Sequence, residues 1–125
     1  MNTVIVVDDD RIFSGLLKTV LELEEYQVEL VPDPDDVVSA VHRVVPVLVL
    51  MDVHSGHGDT LGVLRELGAD EALESMPVVM TSGMDRAAEC LAAGASEFVL
   101  KPFRPAELLD IIAHLIDKSG ANARD

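Results

Sequence analysis

The chain has 125 residues, 49% of them apolar, enough for one hydrophobic core and short for two ordinary domains. Its 23 acidic residues against 9 basic ones leave a formal net charge of -14, which argues against direct binding to a nucleic-acid backbone and favours a cation or a basic protein surface. No apolar stretch approaches the roughly 20 residues of a membrane-spanning helix, and Met1-Asn2-Thr3 lacks the charged and apolar regions of a signal peptide. Cys90 is alone, which excludes an intramolecular disulfide and fits a reducing cytoplasm; among the alanines around it, it reads as a packed small residue.

In chain order, Val4-Ile5-Val6-Val7 reads as a buried strand and runs into Asp8-Asp9-Asp10. Ile12, Phe13, Leu16, Leu17, Val20, Leu21 and Leu23 then recur at helical spacing, with Arg11, Lys18 and Glu22 on the other face. Gln27 to Val31 is a second strand, closed by Pro32-Asp33-Pro34. Val37, Val38 and Val41 mark a helix that must stop before Pro46. Val47 to Met51 is a third strand, ending at Asp52. Thr60 to Leu67 predicts a third helix, with Gly68 placed to end it. Val78 to Met80 leads to Thr81-Ser82-Gly83, and Arg86 to Ala93 is a fourth helix closed by Gly94. Phe98-Val99-Leu100 leads to Lys101-Pro102, and Pro105 opens a fifth helix with Leu108, Leu109, Ile112, Leu115 and Ile116 on its buried stripe. Residues 119–125 lose the apolar period and read as a tail or the start of a linker, so the domain is assigned to residues 1–118.

Five strand-helix units predict a single doubly wound α/β domain, a parallel sheet covered on both faces because right-handed crossovers place helices there. In such a sheet the ligand site lies at the carboxyl ends of the strands. Three carboxylates (Asp8, Asp9 and Asp52), a hydroxyl and the Lys101 ammonium therefore converge on one edge. That set describes a divalent metal and a phosphoryl group.

The chain resembles the receiver domain of two-component response regulators from Thr3 to about Asp117. The acidic cluster, the aspartate after the third strand, the hydroxyl after the fourth and Lys101-Pro102 after the fifth stand in family order. Gly94-Ala95-Ser96-Glu97-Phe98-Val99-Leu100-Lys101-Pro102-Phe103 is an especially close match. The resemblance implies a five-stranded sheet in the order 2-1-3-4-5. It implies Asp52 as the phosphoacceptor, with a phosphoryl group coming from a histidine kinase or phosphotransfer protein. Mg²⁺ would be held by Asp8, Asp9, Asp52 and the backbone carbonyl of His54. Lys101 would pair with Asp52 and then with the phosphoryl oxygens, and Ser82 would donate a hydrogen bond to them, with Thr81 as the competing hydroxyl. Ser82 and Phe98 would form the switch, and Lys101-Pro102 would be joined by a cis peptide. The output face would be helix 4, strand 5 and helix 5, offered to a downstream protein or a second copy. Charge, hydropathy and the lone cysteine predict no direct nucleic-acid contact, no membrane insertion and a cytoplasmic setting, and the resemblance implies no turnover beyond the domain's own phosphorylation and dephosphorylation.

The departures are local. After Asp52 the family usually shows Met-Pro and later Gly, where this chain has Val53-His54-Ser55-Gly56-His57-Gly58-Asp59-Thr60. Gly56 and Thr60 at those places predict a looser loop. His54 and His57 invite a transition-metal reading, but a third defined ligand is lacking. Two further functions compete with the phosphorylated switch. One is a receiver fold that works as a phosphorylation-independent interaction module. The second is a haloacid-dehalogenase-type phosphatase built on Asp8-x-Asp10, which would leave Asp52 without a role. Asp10 is expected to cap the first helix in either case.

Overall fold

A computed structural model of the chain describes residues 2–56 and 58–119. His57 and residues 120–125, which carry half of the histidine pair and nearly all of the assigned tail, lie outside the described residues. The strands are β1 (Thr3–Val7), β2 (Gln27–Leu30), β3 (Leu48–Asp52), β4 (Val78–Ser82) and β5 (Glu97–Leu100). The helices are α1 (Arg11–Leu23), α2 (Val37–Val44), α3 (Leu61–Ala69), α4 (Ala87–Ala92) and α5 (Pro105–Ser119). All pairings in this sheet are parallel, in the order β2-β1-β3-β4-β5. The doubly wound α/β prediction and its strand order hold. Helix α5 extends to Ser119, the first residue assigned to the tail.

Strand side chains alternate across the sheet and sort the core into two layers. Ile5, Val7, Val49, Met51, Val78 and Met80 pack with Val41 of α2, Leu64 of α3 and Cys90 of α4. Val4, Val6, Leu48, Leu50 and Val79 pack with Leu17 and Leu21 of α1 and with Leu108, Ile112 and Ile116 of α5. The central strands carry unbroken apolar runs because both of their faces are covered.

One helix end differs from what the sequence predicts. Gly68 does not end α3; the helix runs through it to Ala69, and only Gly56 and Gly94 among the described glycines have positive φ. Asp70 does the ending, its carboxylate accepting the Ala72 N–H and starting a short 3₁₀ turn at Glu71–Leu73. Gly94, at φ +112, supplies after α4 the left-handed residue that Gly68 was predicted to supply after α3. Helix α2 stops before Pro46, as the sequence predicts, and Val45 after it takes the left-handed conformation at φ 51, uncommon for a β-branched residue. The apolar stripe of α1 is also narrower than its sequence period. Leu17 and Leu21 are buried, whereas Ile12, Leu16 and Leu23 are exposed.

Candidate functional site

Register brings the predicted residues together. Val7 pairs with Met51, so Asp8 and Asp52 leave the sheet side by side. Asp52 pairs with Thr81, and Ser82 pairs with Leu100, which puts Lys101 one residue beyond Ser82. Lys101 Nζ donates to Asp52 Oδ2 at 2.8 Å and to Asp8 Oδ2 at 3.1 Å. The same ammonium lies 4.1 Å from the centroid of the Phe13 ring, which in turn meets Phe103 edge to face at 5.7 Å. That aromatic floor fixes the lysine stem and adds a cation–π attraction. The Lys101–Pro102 peptide is cis, and the Lys101 N–H donates to the Ser82 carbonyl at 2.8 Å.

The charges disturb one another. Burial pushes the Asp8 carboxyl above its ordinary value; the Asp10 N–H and Lys101 pull it down, and the Asp52 charge adds to the rise. For Lys101, burial favours the neutral amine, but the hydrogen bond to Asp52 and the charges of Asp8 and Asp52 outweigh it and hold the ammonium above its ordinary value. Lys101 is therefore a fixed cation across the physiological range. Asp10 turns away from this group, its carboxylate capping α1 through the Ile12 and Phe13 N–H groups.

The described residues of the segment after Asp52 make several hydrogen bonds to their surroundings. His54 and Asp59, and Ser55 and Gly58, pair as a short antiparallel hairpin. The His54 N–H donates to Asp52 Oδ1 at 3.0 Å, and the Gly56 N–H donates to Asp9 Oδ2 at 3.0 Å. Gly56 sits at φ +71, and a Cβ there would come 3.0 Å from Pro34 Cδ, so glycine is needed both for conformation and for space. Thr60 is fully buried, and its hydroxyl donates to the Asp52 carbonyl at 2.8 Å. Thr60, which stands where the family usually has glycine, thus bonds the end of β3.

Ser82 and Thr81 are both buried at the end of β4, and Ser82 Oγ accepts the Met84 N–H at 3.1 Å. Phe98 is half-buried against the α2–α3–α4 layer and pairs in register with Met80. Sequence reasoning missed three participants: Phe13 beneath Lys101, Thr60 on Asp52, and Arg86, whose guanidinium reaches His54, Asp59 and Glu89. Phe13 carried a weak signal, an aromatic three residues after the helix cap. The contacts of Thr60 and Arg86 carried none, since their partners are set by loop geometry.

Among the described residues, no group of three or more His, Cys, Asp and Glu side chains is drawn into a ready metal cage. The donor set still fits Mg²⁺, because every candidate is a hard oxygen and Mg²⁺ keeps several waters, needing few protein ligands. A cavity of about 350 Å³ lined by Asp8, Arg11, Ser14, Leu30 and Pro32 borders this edge, but larger ones lie elsewhere, so size alone does not locate the chemistry. A cavity of about 390 Å³ lined by Val45, Pro46, Leu73 and Met76 lies at the opposite end of the strands.

A family model for the response regulator receiver domain matches residues 4–113. The chain belongs to that family. The DNA-binding response regulator MtrA of Mycolicibacterium smegmatis is 32% identical over 109 residues, which cover 85% of this chain and 46% of the relative. The chain thus spans about half the length of the curated relatives it matches. Among solved structures, the receiver domain of a Pseudomonas aeruginosa sensor histidine kinase is 27% identical with a TM-score of 0.84, covering 93% of this chain and 98% of that one. It holds a magnesium ion coordinated in its active site cleft. A CheY-like receiver from Methanospirillum hungatei has a TM-score of 0.88 at 23% identity, covers 97% of this chain and 98% of its own, and shares the fold.

Proposed function

We propose that this receiver accepts a phosphoryl group on Asp52, with Mg²⁺, from a sensor histidine kinase or a histidine phosphotransfer protein, and that the transfer switches its output surface. The observation that carries the reading is the ammonium of Lys101 held between the paired carboxylates Asp8 and Asp52 at the strand ends. An Asp52 carboxylate oxygen attacks phosphorus, the bond to the donor nitrogen breaks, and an acyl phosphate forms. Lys101 follows the new charge, pairing with a phosphoryl oxygen as a compact cation. Ser82 Oγ exchanges its acceptor role toward Met84 for a donor role toward the phosphoryl group. Asp8, Asp9, Asp52 and the His54 carbonyl would hold Mg²⁺, which supplies the charge that lets two anions approach.

Response depends on differential contacts in the two states. Ser82 moving inward leaves room for Phe98 to turn, which reaches the surface of α4, β5 and α5. Met84, Leu91 and Leu100 are exposed on or beside that surface, in keeping with a downstream protein or a second copy docking there. We assign the domain to residues 1–118 and place it in the cytoplasm, without direct nucleic-acid binding or membrane insertion and without turnover beyond its own phosphorylation and dephosphorylation. No helix among the described residues is long and apolar enough to cross a membrane.

Intact-mass measurement with acetyl phosphate tests the reading. One phosphoryl group should be gained only with Mg²⁺, lost on hydroxylamine treatment, and absent in Asp52→Asn. A hydroxylamine-stable product, or normal labelling of Asp52→Asn, would overturn the assignment of the acceptor.

A further inference from the structure

The guanidinium of Arg86 has no part in the chemistry above, yet it joins two segments that flank Asp52. Nε and Nη2 hold Glu89 in a fork at 2.8 and 2.9 Å. Nη1 lies 3.2 Å from His54 Nε2, and Nη2 lies 3.7 Å from Asp59 Oδ2. A guanidinium carries donors only, so the facing His54 nitrogen is the acceptor. His54 and Asp59 are partners across the short hairpin, so one side chain spans both of its arms and ties them to the start of α4. For so long a side chain it is well covered, at 16% exposure.

The β4–α4 connection is therefore fastened at both ends. Ser82 Oγ holds its beginning through the Met84 N–H, and Arg86 holds its end. The first fastening is the one that a phosphoryl group on Asp52 would take apart by drawing Ser82 inward. Among the described residues, Arg86 is then a side-chain tie that remains between the acceptor's loop and α4.

We propose that Arg86 is a positioning residue that fastens the His54–Asp59 hairpin to α4, so that phosphoryl lifetime on Asp52 and displacement of α4 are set together. This rests on the reading of Asp52 as the phosphoacceptor. The tie bears on lifetime because His54 also donates its backbone N–H to Asp52 Oδ1, so a hairpin held by Arg86 keeps one flank of the acceptor covered. When the hairpin is released, water reaches the acyl phosphate more freely. The water oxygen attacks phosphorus, the bond from phosphorus to the Asp52 oxygen breaks with its electron pair returning to the carboxylate, and the water proton passes to solvent. Arginine is needed here rather than lysine, because Glu89, His54 and Asp59 are met by different edges of one planar fork.

The test uses the full chain with Arg86→Gln, Arg86→Lys, His54→Ala and the Arg86→Gln/His54→Ala pair. Backbone hydrogen exchange around His54 and Asp59 is read without phosphodonor, and the loss of phosphoryl mass is followed after donor removal. Both Arg86 variants should speed exchange in the hairpin and shorten the phosphoryl lifetime about two- to fivefold, the scale of a partly exposed ionic contact. The double variant should fall short of the product of the two single effects, because both remove the Arg86–His54 contact, while the Asp59 contact is lost only with Arg86. Normal labelling with unchanged exchange in both Arg86 variants overturns the tether itself, as do effects that simply multiply in the double variant. A parent chain that takes up no phosphoryl group overturns the acceptor reading, and with it the claim on lifetime.

Discussion

The two helical layers on this sheet hold the same charged edge by different means. Helices α1 and α5 are 13 and 15 residues long and bury a continuous apolar stripe. Their layer anchors the charges: Phe13 lies beneath Lys101, and the Ser14 hydroxyl donates to the Asp8 carbonyl. Helices α2, α3 and α4 have 8, 9 and 6 residues, and 3₁₀ turns flank them at Pro34–Asp36 and Glu71–Leu73. On that side the acceptor is met by hydrogen bonds from Thr60 and His54, with the Ser82 loop alongside. Both layers are held by buried apolar side chains, but each short helix of the second buries less on its own and can open locally at lower cost than the long α1 and α5. The edge thus takes the Phe13 and Ser14 contacts from the first layer and the Thr60, His54 and Ser82 contacts from the second.

Core truncation should break this comparison most forcefully if it is wrong. Ile112→Ala, fully buried in α5, should cost about 2–5 kcal/mol and lower the urea midpoint of the whole domain. Cys90→Ala, equally buried in α4, should cost about 1 kcal/mol and mainly speed hydrogen exchange in α4 itself. Equal global losses in the two variants would show that the layers do not differ in this way.

Metal linkage sharpens the role of the edge between the layers. Mg²⁺ at about tenfold its dissociation constant should stabilise the fold by about 1.4 kcal/mol. Asp9→Ala should lose most of that gain in a thermal melt, because Asp9 is an open carboxylate whose described partner is a single N–H from Gly56. A Mg²⁺-dependent shift that survives Asp9→Ala would remove Asp9 from the ligand set.

The sequence carried the fold well, because strands covered on both faces leave unbroken runs such as Val4 to Val7 and Val78 to Met80, and these alternate with helical periods. It also placed Asp8, Asp52, Ser82 and Lys101 on one edge, since strand ends follow directly from those runs. Helix ends were less legible. Gly68 carried the composition of a cap, but whether a glycine turns left-handed depends on the chain beyond it, where Asp70 offered a competing cap. The contacts of Thr60, Arg86 and Gly56 were hidden for a different reason. They depend on where three loops meet in space, and no periodicity records that. Likewise, the apolar spacing of α1 marked Ile12 and Leu16 as core, although the sheet has room only for the line through Leu17 and Leu21.

Thr60 offers a smaller test of how the second layer is fastened. Thr60→Val keeps shape and volume but removes the donor to the Asp52 carbonyl, so about 1 kcal/mol of stability should be lost. The larger signature should be faster exchange around Val53, whose carbonyl accepts the Thr60 N–H, with little change in α5. A uniform increase across the molecule would mean that the contact supports the whole fold and not the loop.

The smallest expected effect has the opposite sign. Asp8 sits in the anchored layer with its side chain 3% exposed, and burial is the main reason its carboxyl titrates above the ordinary value of 3.8. A carboxyl whose folded pKa is raised favours the folded state while it is protonated. That contribution is fully present below the unfolded value and is lost as pH rises through the raised folded value. Asp8→Asn stays uncharged throughout, so it should melt like the parent in acid and pull ahead as pH climbs through the Asp8 titration. At neutral pH without divalent cations the gain should be a few degrees at most, because Lys101 already offsets part of the Asp8 charge. Adding Mg²⁺ should narrow the gap, since the cation rewards the ionised carboxylate that only the parent has. A difference between the two proteins that did not vary with pH, or a variant less stable than the parent at neutral pH, would show that Asp8 is held by its partners more strongly than it is penalised by burial.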